Sequence, residues 1–163
     1  MNEKKANADS GEIRVVGDSI SYSSPFFVSW TLDLREVKAC GEYTNQDGPF
    51  LDDYFFAFIT RPDDGWYEAS FYAQGREPLL QELTKRFGST VQCDLCCSAD
   101  FKSRIWWPAE LAGNPMFEYR PAPGLWGRLG LRNEQWISPH LVEFLRGGSD
   151  SGKRPVPAAE PPG

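Results

Sequence analysis

Asp52-Asp-Tyr-Phe-Phe-Ala-Phe-Ile-Thr60, Gly65-Trp-Tyr-Glu-Ala-Ser-Phe-Tyr-Ala73 and Pro78-Leu-Leu-Gln-Glu-Leu-Thr-Lys-Arg-Phe-Gly88 decide the fold. The first is apolar on both faces from Tyr54 to Ile59, the pattern of a central strand. In the second, Tyr67, Ala69, Phe71 and Ala73 alternate with Glu68 and Ser70, as in a half-buried strand. Arg61-Pro-Asp-Asp-Gly65 between them is a turn, so the two form an antiparallel hairpin. The third is a helix over 78–87: Pro78 suits its first turn, Leu79, Leu80, Leu83 and Phe87 make one face, and Gly88 stops it.

Working outward, Ile13 and Val15 alternate with Arg14, and Ile20 and Tyr22 with Ser19 and Ser21; Gly17-Asp18 between them signals a hairpin. Trp30, Leu32 and Leu34 alternate with Thr31, Asp33 and Arg35, and 37–44 is expected to continue that strand or pair with it. Beyond the helix, 91–95, 104–107, 116–119 and 126–131 are short strand candidates, broken by Pro108, Gly113-Asn-Pro115 and Pro121-Ala-Pro-Gly124. A second helix is predicted near the end: Ser138 caps it, Pro139 starts it, Leu141, Val142 and Leu145 face inward, and Gly147 ends it. The expected fold class is α+β: a mostly antiparallel PH-like sheet or barrel with helices at 78–87 and 139–146.

At 163 residues, with 40% apolar content and six tryptophans, the chain suits one domain with a core, expected over 12–147. Residues 1–11 and the Pro/Gly-rich 148–163 are expected to be disordered tails. Their charges cancel: Glu3 and Asp9 against Lys4 and Lys5, Asp150 and Glu160 against Lys153 and Arg154. The net charge of -6 therefore belongs to the folded part. An acidic body repels phosphate, which argues against nucleic-acid or anionic-membrane partners and favours a basic protein. No apolar run approaches a membrane span and the N-terminus has no signal-peptide core, so a cytoplasmic protein is expected.

The order of strands at 13–22, 28–44 and 54–73 followed by the helix resembles pleckstrin-homology-like domains of bacterial type. Ser29-Trp-Thr-Leu-Asp-Leu-Arg-Glu-Val37 looks like the strand those domains carry before a turn. The resemblance covers 12–88 and implies a binding scaffold that takes several kinds of ligand. Ser23-Ser-Pro-Phe-Phe27 has no Lys or Arg where phosphoinositide-binding members have a basic loop, so headgroup binding is not carried over.

Candidate chemistry is sparse. Cys93-Asp-Leu-Cys96-Cys97, with Cys40 and the sole histidine, His140, offers zinc-ligand types without a second closely spaced pair. The thiols are read as structural, with a metal or redox site as the alternative, and no cofactor is expected. No Ser or Cys stands in a nucleophile motif that His140 would serve. Carboxylates cluster in two loops, Asp47, Asp52 and Asp53 in one and Asp63 and Asp64 in the other, a strand length apart. Trp66, Trp106, Trp107, Trp126 and Trp136, with Tyr43, Tyr54 and Tyr119, are candidates for a stacking platform or interface. Neighbours on a strand point to opposite faces, so one of Trp106 and Trp107 must leave the core unless residues 109–146 supply a second layer. The expected function is a non-enzymatic protein-interaction module using the acidic loops and Trp106 and Trp107, one version being an inhibitor or immunity-type protein for a basic target. A thiol/metal protein or enzyme, and a carbohydrate- or small-molecule-binding module using exposed Trp and Asp, are the alternatives.

Overall fold

The computed structural model describes residues 10–46, 51–96, 98, 100–130 and 132–147. Asp47, Cys97, Leu131, most of the stretch read as an N-terminal tail and the whole C-terminal one lie outside the described residues. Ser10 and Gly11, at the end of the former, belong to the fold: Tyr22 Oη donates to Ser10 O at 2.7 Å, and Gln74 N to Gly11 O at 2.9 Å.

Strands β1 (Glu12–Val16), β2 (Ser19–Ser23) and β3 (Trp30–Asp33) form an antiparallel sheet in that order. The Gly17-Asp18 turn forms as expected, with Gly17 at φ +60°. The next segment leaves this sheet. Asp33 caps a 3-10 turn at Leu34–Glu36, its side chain accepting from Arg35 N at 2.8 Å, and the chain turns away. Strand β4 (Ala39–Thr44) therefore neither continues nor pairs with β3. It lies in a second antiparallel sheet, ordered β6-β5-β4-β7, with β5 (Tyr54–Ile59), β6 (Tyr67–Ser70) and β7 (Lys102–Trp107). Every residue of β4 and β5 is buried, the central position that the unbroken apolar run of β5 implies.

Helix α1 (Arg76–Phe87) begins two residues before Pro78. Gln74 bridges Glu12 of β1, and Gly75 follows at φ +81°, where a Cβ would stand 2.0 Å from Ile13 O. Only glycine fits that approach, and the helix starts from it; β6 itself ends at Ser70, where a turn begins with Ala73 N donating to Ser70 O at 3.1 Å. Pro78 still falls in the first turn, whose N–H groups have no intrahelical partner. Leu79 and Leu83 are fully buried.

The third layer is a hairpin of β8 (Phe117–Pro121) and β9 (Asn133–Ile137), followed by α3 (Pro139–Gly147). Ser138 starts α3 with its carbonyl, which accepts from Leu141 N and Val142 N, while its hydroxyl donates to Pro115 O at 3.0 Å. Two sequence expectations are corrected here. Residues 91–95 form no strand, because their backbone groups are met by local turns and by side chains: Val91 N donates to Gly88 O and Leu95 O accepts from Ser98 N, while Trp106 Nε1 donates to Gln92 O at 2.9 Å and Asp94 N to Glu42 Oε1 at 3.1 Å. The described part of 126–131 is not a strand either; a short helix α2 (Leu125–Arg128) occupies its start and a turn follows.

The four-stranded sheet separates two cores. On one face Cys40, Phe56, Phe58, Ala69 and Trp106 pack against Ile13, Ile20, Tyr22 and Leu32 of the first sheet and against α1. On the other Tyr43, Phe55, Ala57, Ile59 and Ile105 meet Met116, Phe117 and Leu141. The chain is thus an α+β fold of antiparallel sheets with a C-terminal helix, and residues after 109 supply the second layer.

Candidate functional site

Of the carboxylates singled out above, Asp52 and Asp53 hold the fold together. Asp52 accepts from Ser10 Oγ at 3.0 Å and Ser70 Oγ at 2.6 Å, and Asp53 from Tyr72 Oη at 2.5 Å. Asp63 and Asp64 are exposed at the other end of β5, a strand of six residues and hence about 20 Å away. Asp63 accepts from Arg146 of α3 at 2.5 Å, and Asp64 stands 3.8 Å from Arg61.

Trp106 and Trp107 depart from the expected geometry. The β4–β7 register shifts between Cys40 and Gly41, so that Gly41 faces Ile105 while Cys40 faces Trp107. Trp106 is the extra residue of this β-bulge, which breaks the alternation of faces. Both rings consequently pack against the first core: Trp106 is fully buried, and Trp107 lies against Phe87 with centroids 4.9 Å apart. Trp106 is a core residue, not a binding one.

The thiols are dispersed. Cys40 is buried inside the first core, and burial pushes its thiol far up; Cys93 is half-buried and pushed up to about 11, and Cys96 is exposed. Among the described residues no three His, Cys, Asp or Glu side chains gather as metal ligands do. His140 is exposed, its Nε2 3.4 Å from Ser138 Oγ, and that hydroxyl gives its proton to Pro115 O. A serine so engaged, at that separation, is not an activated nucleophile.

Sequence reasoning missed two arrangements and half-saw a third. Glu42 is a fully buried carboxylate in β4, accepting from the Tyr54 hydroxyl and from Asp94 N, with Arg104 nearby bound to Asp94. Burial pushes the pKa of Glu42 up and that of Tyr54 far up. The network fastens the 91–95 loop to the sheet.

The second arrangement is the β8–β9 connection. It folds into an ordered turn: Ala122 N donates to Arg132 O, Arg128 N to Gly124 O and Leu129 N to Leu125 O, at 2.9–3.2 Å. Gly127 packs inward, where a Cβ would sit 1.6 Å from Ala122 O. Leu125, Trp126 and Leu129 point the other way and are 66%, 63% and 59% exposed, flanked by exposed Arg128 and Arg132.

The third is a cleft of about 630 Å³ between the 61–66 loop, β9 and α3, walled by Pro62, Trp66, Gln135, Trp136 and Val142. Asp63 and Arg146 bridge its sides. Trp66 is fixed by donating Nε1–H to Glu68 Oε2 at 3.1 Å, where Tyr43 Oη also donates, and by its packing on Phe117. Trp136 is 47% exposed, with the Arg120 guanidinium 5.1 Å from its ring centroid. Both tryptophans stood among the aromatic candidates; Gln135 carried no signal.

Among the described residues no helix is long and apolar enough to cross a membrane. Comparison of the chain with protein-family models, with curated proteins and with solved structures finds no match.

Proposed function

We propose that this chain is a non-enzymatic protein-interaction module whose partner docks on the Leu125–Trp126–Leu129 turn. The observation that carries the reading is the display of three large apolar side chains on a hydrogen-bonded turn whose glycine packs inward. Interface hot spots are typically such preorganised aromatic and aliphatic anchors, and burying each contributes about 1.5–3 kcal/mol. A PH-like scaffold, which the order of strands and helix over residues 12–88 supports, hosts binding functions of several kinds.

An inhibitor or immunity-type protein for a basic target is the specific version of this proposal. The net charge of -6 supports it, because such a field draws a cationic partner from a distance; the steering comes from the acidic body, since Arg128 and Arg132 flank the docking turn itself. The test is capture of partners from native extract by the full chain, read by mass spectrometry at low and high salt. A Trp126→Ala/Leu129→Ala pair is expected to lose the partner with its melting temperature unchanged. Asp63→Asn/Asp64→Asn is expected to weaken the gain in capture at low salt. Stoichiometric capture that survives the first pair refutes the assigned surface; a partner without basic character refutes the specific version.

A further inference from the structure

We infer that the free edge of β9, which opens into the cleft beside the 61–66 loop, takes an added β-strand from a partner protein, a short extended segment with apolar residues on one face and Lys or Arg on the other. This surface is additional to the Leu125–Trp126–Leu129 turn. Four consecutive residues, Glu134 to Ile137, line the cleft. Successive side chains of a strand point to opposite faces, so a cleft that touches all four runs along the edge of the strand and not over one face.

The ladder determines which backbone groups that edge presents. Ala122 N donates to Arg132 O at 2.9 Å at one end of the β8–β9 pairing, and Ser138 N to Met116 O at 2.9 Å at the other. Hydrogen-bonded pairs alternate along an antiparallel ladder, so Glu134 and Trp136 also bond to β8, while Asn133, Gln135 and Ile137 turn their N–H and C=O groups away from it. Pro121 agrees with this phase: it stands opposite Asn133, where no N–H is required of it. β9 has a strand on one side only, and no backbone hydrogen bond reaches Asn133, Gln135 or Ile137 from elsewhere among the described residues. Such a row of open donors and acceptors is the template to which an extended peptide adds.

Side chains set the class of segment. Gln135 and Ile137 point to one face of β9, where Ile137 and Trp66 pack together on the second core. Residues of the added strand on that face meet an apolar wall. Glu134 and Trp136 point to the other face, and there Glu134 has no ion pair: the Arg120 guanidinium, cross-strand from it, is bound to Glu118. Asp63 and Arg146 answer one another, which leaves Glu134 as the uncompensated charge of the cleft. A Lys or Arg on the added strand beside Glu134 makes an opposite-charge cross-strand pair, and the stem of the next such side chain packs on the half-exposed Trp136 indole.

The test uses the full chain, 15N-labelled, and synthetic peptides acetyl-Thr-X-Lys-X-Lys-X-Thr-amide with Val, Ile, Leu or Phe at X. In the protein alone the amides of Glu134 and Trp136 should resist hydrogen exchange while those of Gln135 and Ile137 exchange faster. At least one peptide is expected to shift the Gln135 and Ile137 amide signals and to protect both from exchange. Gln135→Pro removes an N–H that bonds nothing in the free protein, at an edge where proline is tolerated, so the variant should fold and lose about tenfold in peptide affinity. Glu134→Lys, outside both cores, should lose about fivefold for these peptides and gain as much for their counterparts with Glu in place of Lys. Trp126→Ala/Leu129→Ala should leave peptide binding unchanged, which separates the edge from the docking turn. The inference is overturned if no peptide of the set protects Gln135 and Ile137, or if Gln135→Pro and Glu134→Lys both bind as the wild type does. Protection of those two amides in the protein alone overturns it as well: a second copy holds the edge if protection grows with protein concentration, and another segment of this chain holds it if protection does not.

Discussion

Glu42 is the single carboxylate among the described residues with no exposure to solvent. Its environment works against its charge: burial raises its pKa above the ordinary 4.5, only partly opposed by the Tyr54 hydroxyl and by Arg104. The folded protein thus holds this proton more tightly than the unfolded chain does. The resulting stability is fully present below the ordinary value and is lost as pH rises through the raised one, the reverse of a salt-bridged carboxylate. Glu42→Gln keeps an acceptor for Asp94 N–H and an amide for Tyr54. It should therefore gain on the wild type as pH rises from acid to neutral, by about 1.4 kcal/mol for each unit the pKa is raised. Urea denaturation across that range measures the difference, and a wild type that instead gains on the variant with rising pH contradicts this account. Glu42→Ala leaves Tyr54 Oη and Asp94 N–H unpaired and should lose about 2–5 kcal/mol at any pH in the range. The sequence shows Glu42 only as a polar residue between Gly41 and Tyr43; nothing in it reveals that both faces of β4 are covered.

The elements legible in the sequence were those whose own residues decide them. The apolar run of β5 makes it central, the Gly17-Asp18 turn makes a hairpin of β1 and β2, and the spacing of Leu79 and Leu83 makes α1. What stayed hidden depends on partners distant in the chain. The Asp33-capped turn sends β4 to another sheet, a one-residue shift opposite Cys40 and Gly41 turns Trp106 into the core, and β9, with Asn133 and Glu134 at its start, is a strand only because β8 pairs with it. The candidate site divides in the same way. Asp63, Trp66 and Trp136 were visible as residue types, whereas the open edge of β9 at Gln135 follows from pairing alone. The β8–β9 turn reads in sequence as a strand over 126–131 because Trp126 and Leu129 carry strand-compatible side chains, while Gly127 sets the conformation. That glycine gives the element its test. A Cβ at 1.6 Å from Ala122 O cannot be accommodated, so Gly127→Ala must displace the turn. Because Leu125, Trp126 and Leu129 contribute to neither core, the melting temperature should fall only slightly while partner capture is lost. Capture equal to wild type would show that the displayed geometry is irrelevant to binding.

Across the whole molecule, the four-stranded sheet belongs to both cores. Successive residues of β5 alternate between them, Phe56 and Phe58 toward the first sheet and α1, Phe55, Ala57 and Ile59 toward Met116, Phe117 and Leu141. Neither layer can leave without uncovering one apolar face of the shared sheet, and an exposed face of that size is not stable in water. The three layers should consequently unfold together, although the chain offers two separate clusters of side chains. Phe58→Ala, in the first core, should cost about 3–5 kcal/mol, and Ile59→Ala, in the second, about 2–5 kcal/mol. Each should move one common transition. Calorimetry together with tryptophan fluorescence tests this, since Trp106 reports on the first core and Trp66 packs against the second. A single transition with equal calorimetric and van't Hoff enthalpies in the wild type and in both variants is the expected outcome. Separate transitions, with Ile59→Ala shifting only one of them, would mean that the β8–β9 layer folds on an already stable sheet. The acidic charge and both proposed surfaces would then sit on units of different stability. With a shared sheet, by contrast, the β8–β9 layer that carries the cleft and the displayed turn is as persistent as the sheet it covers, which is what preorganised binding surfaces require.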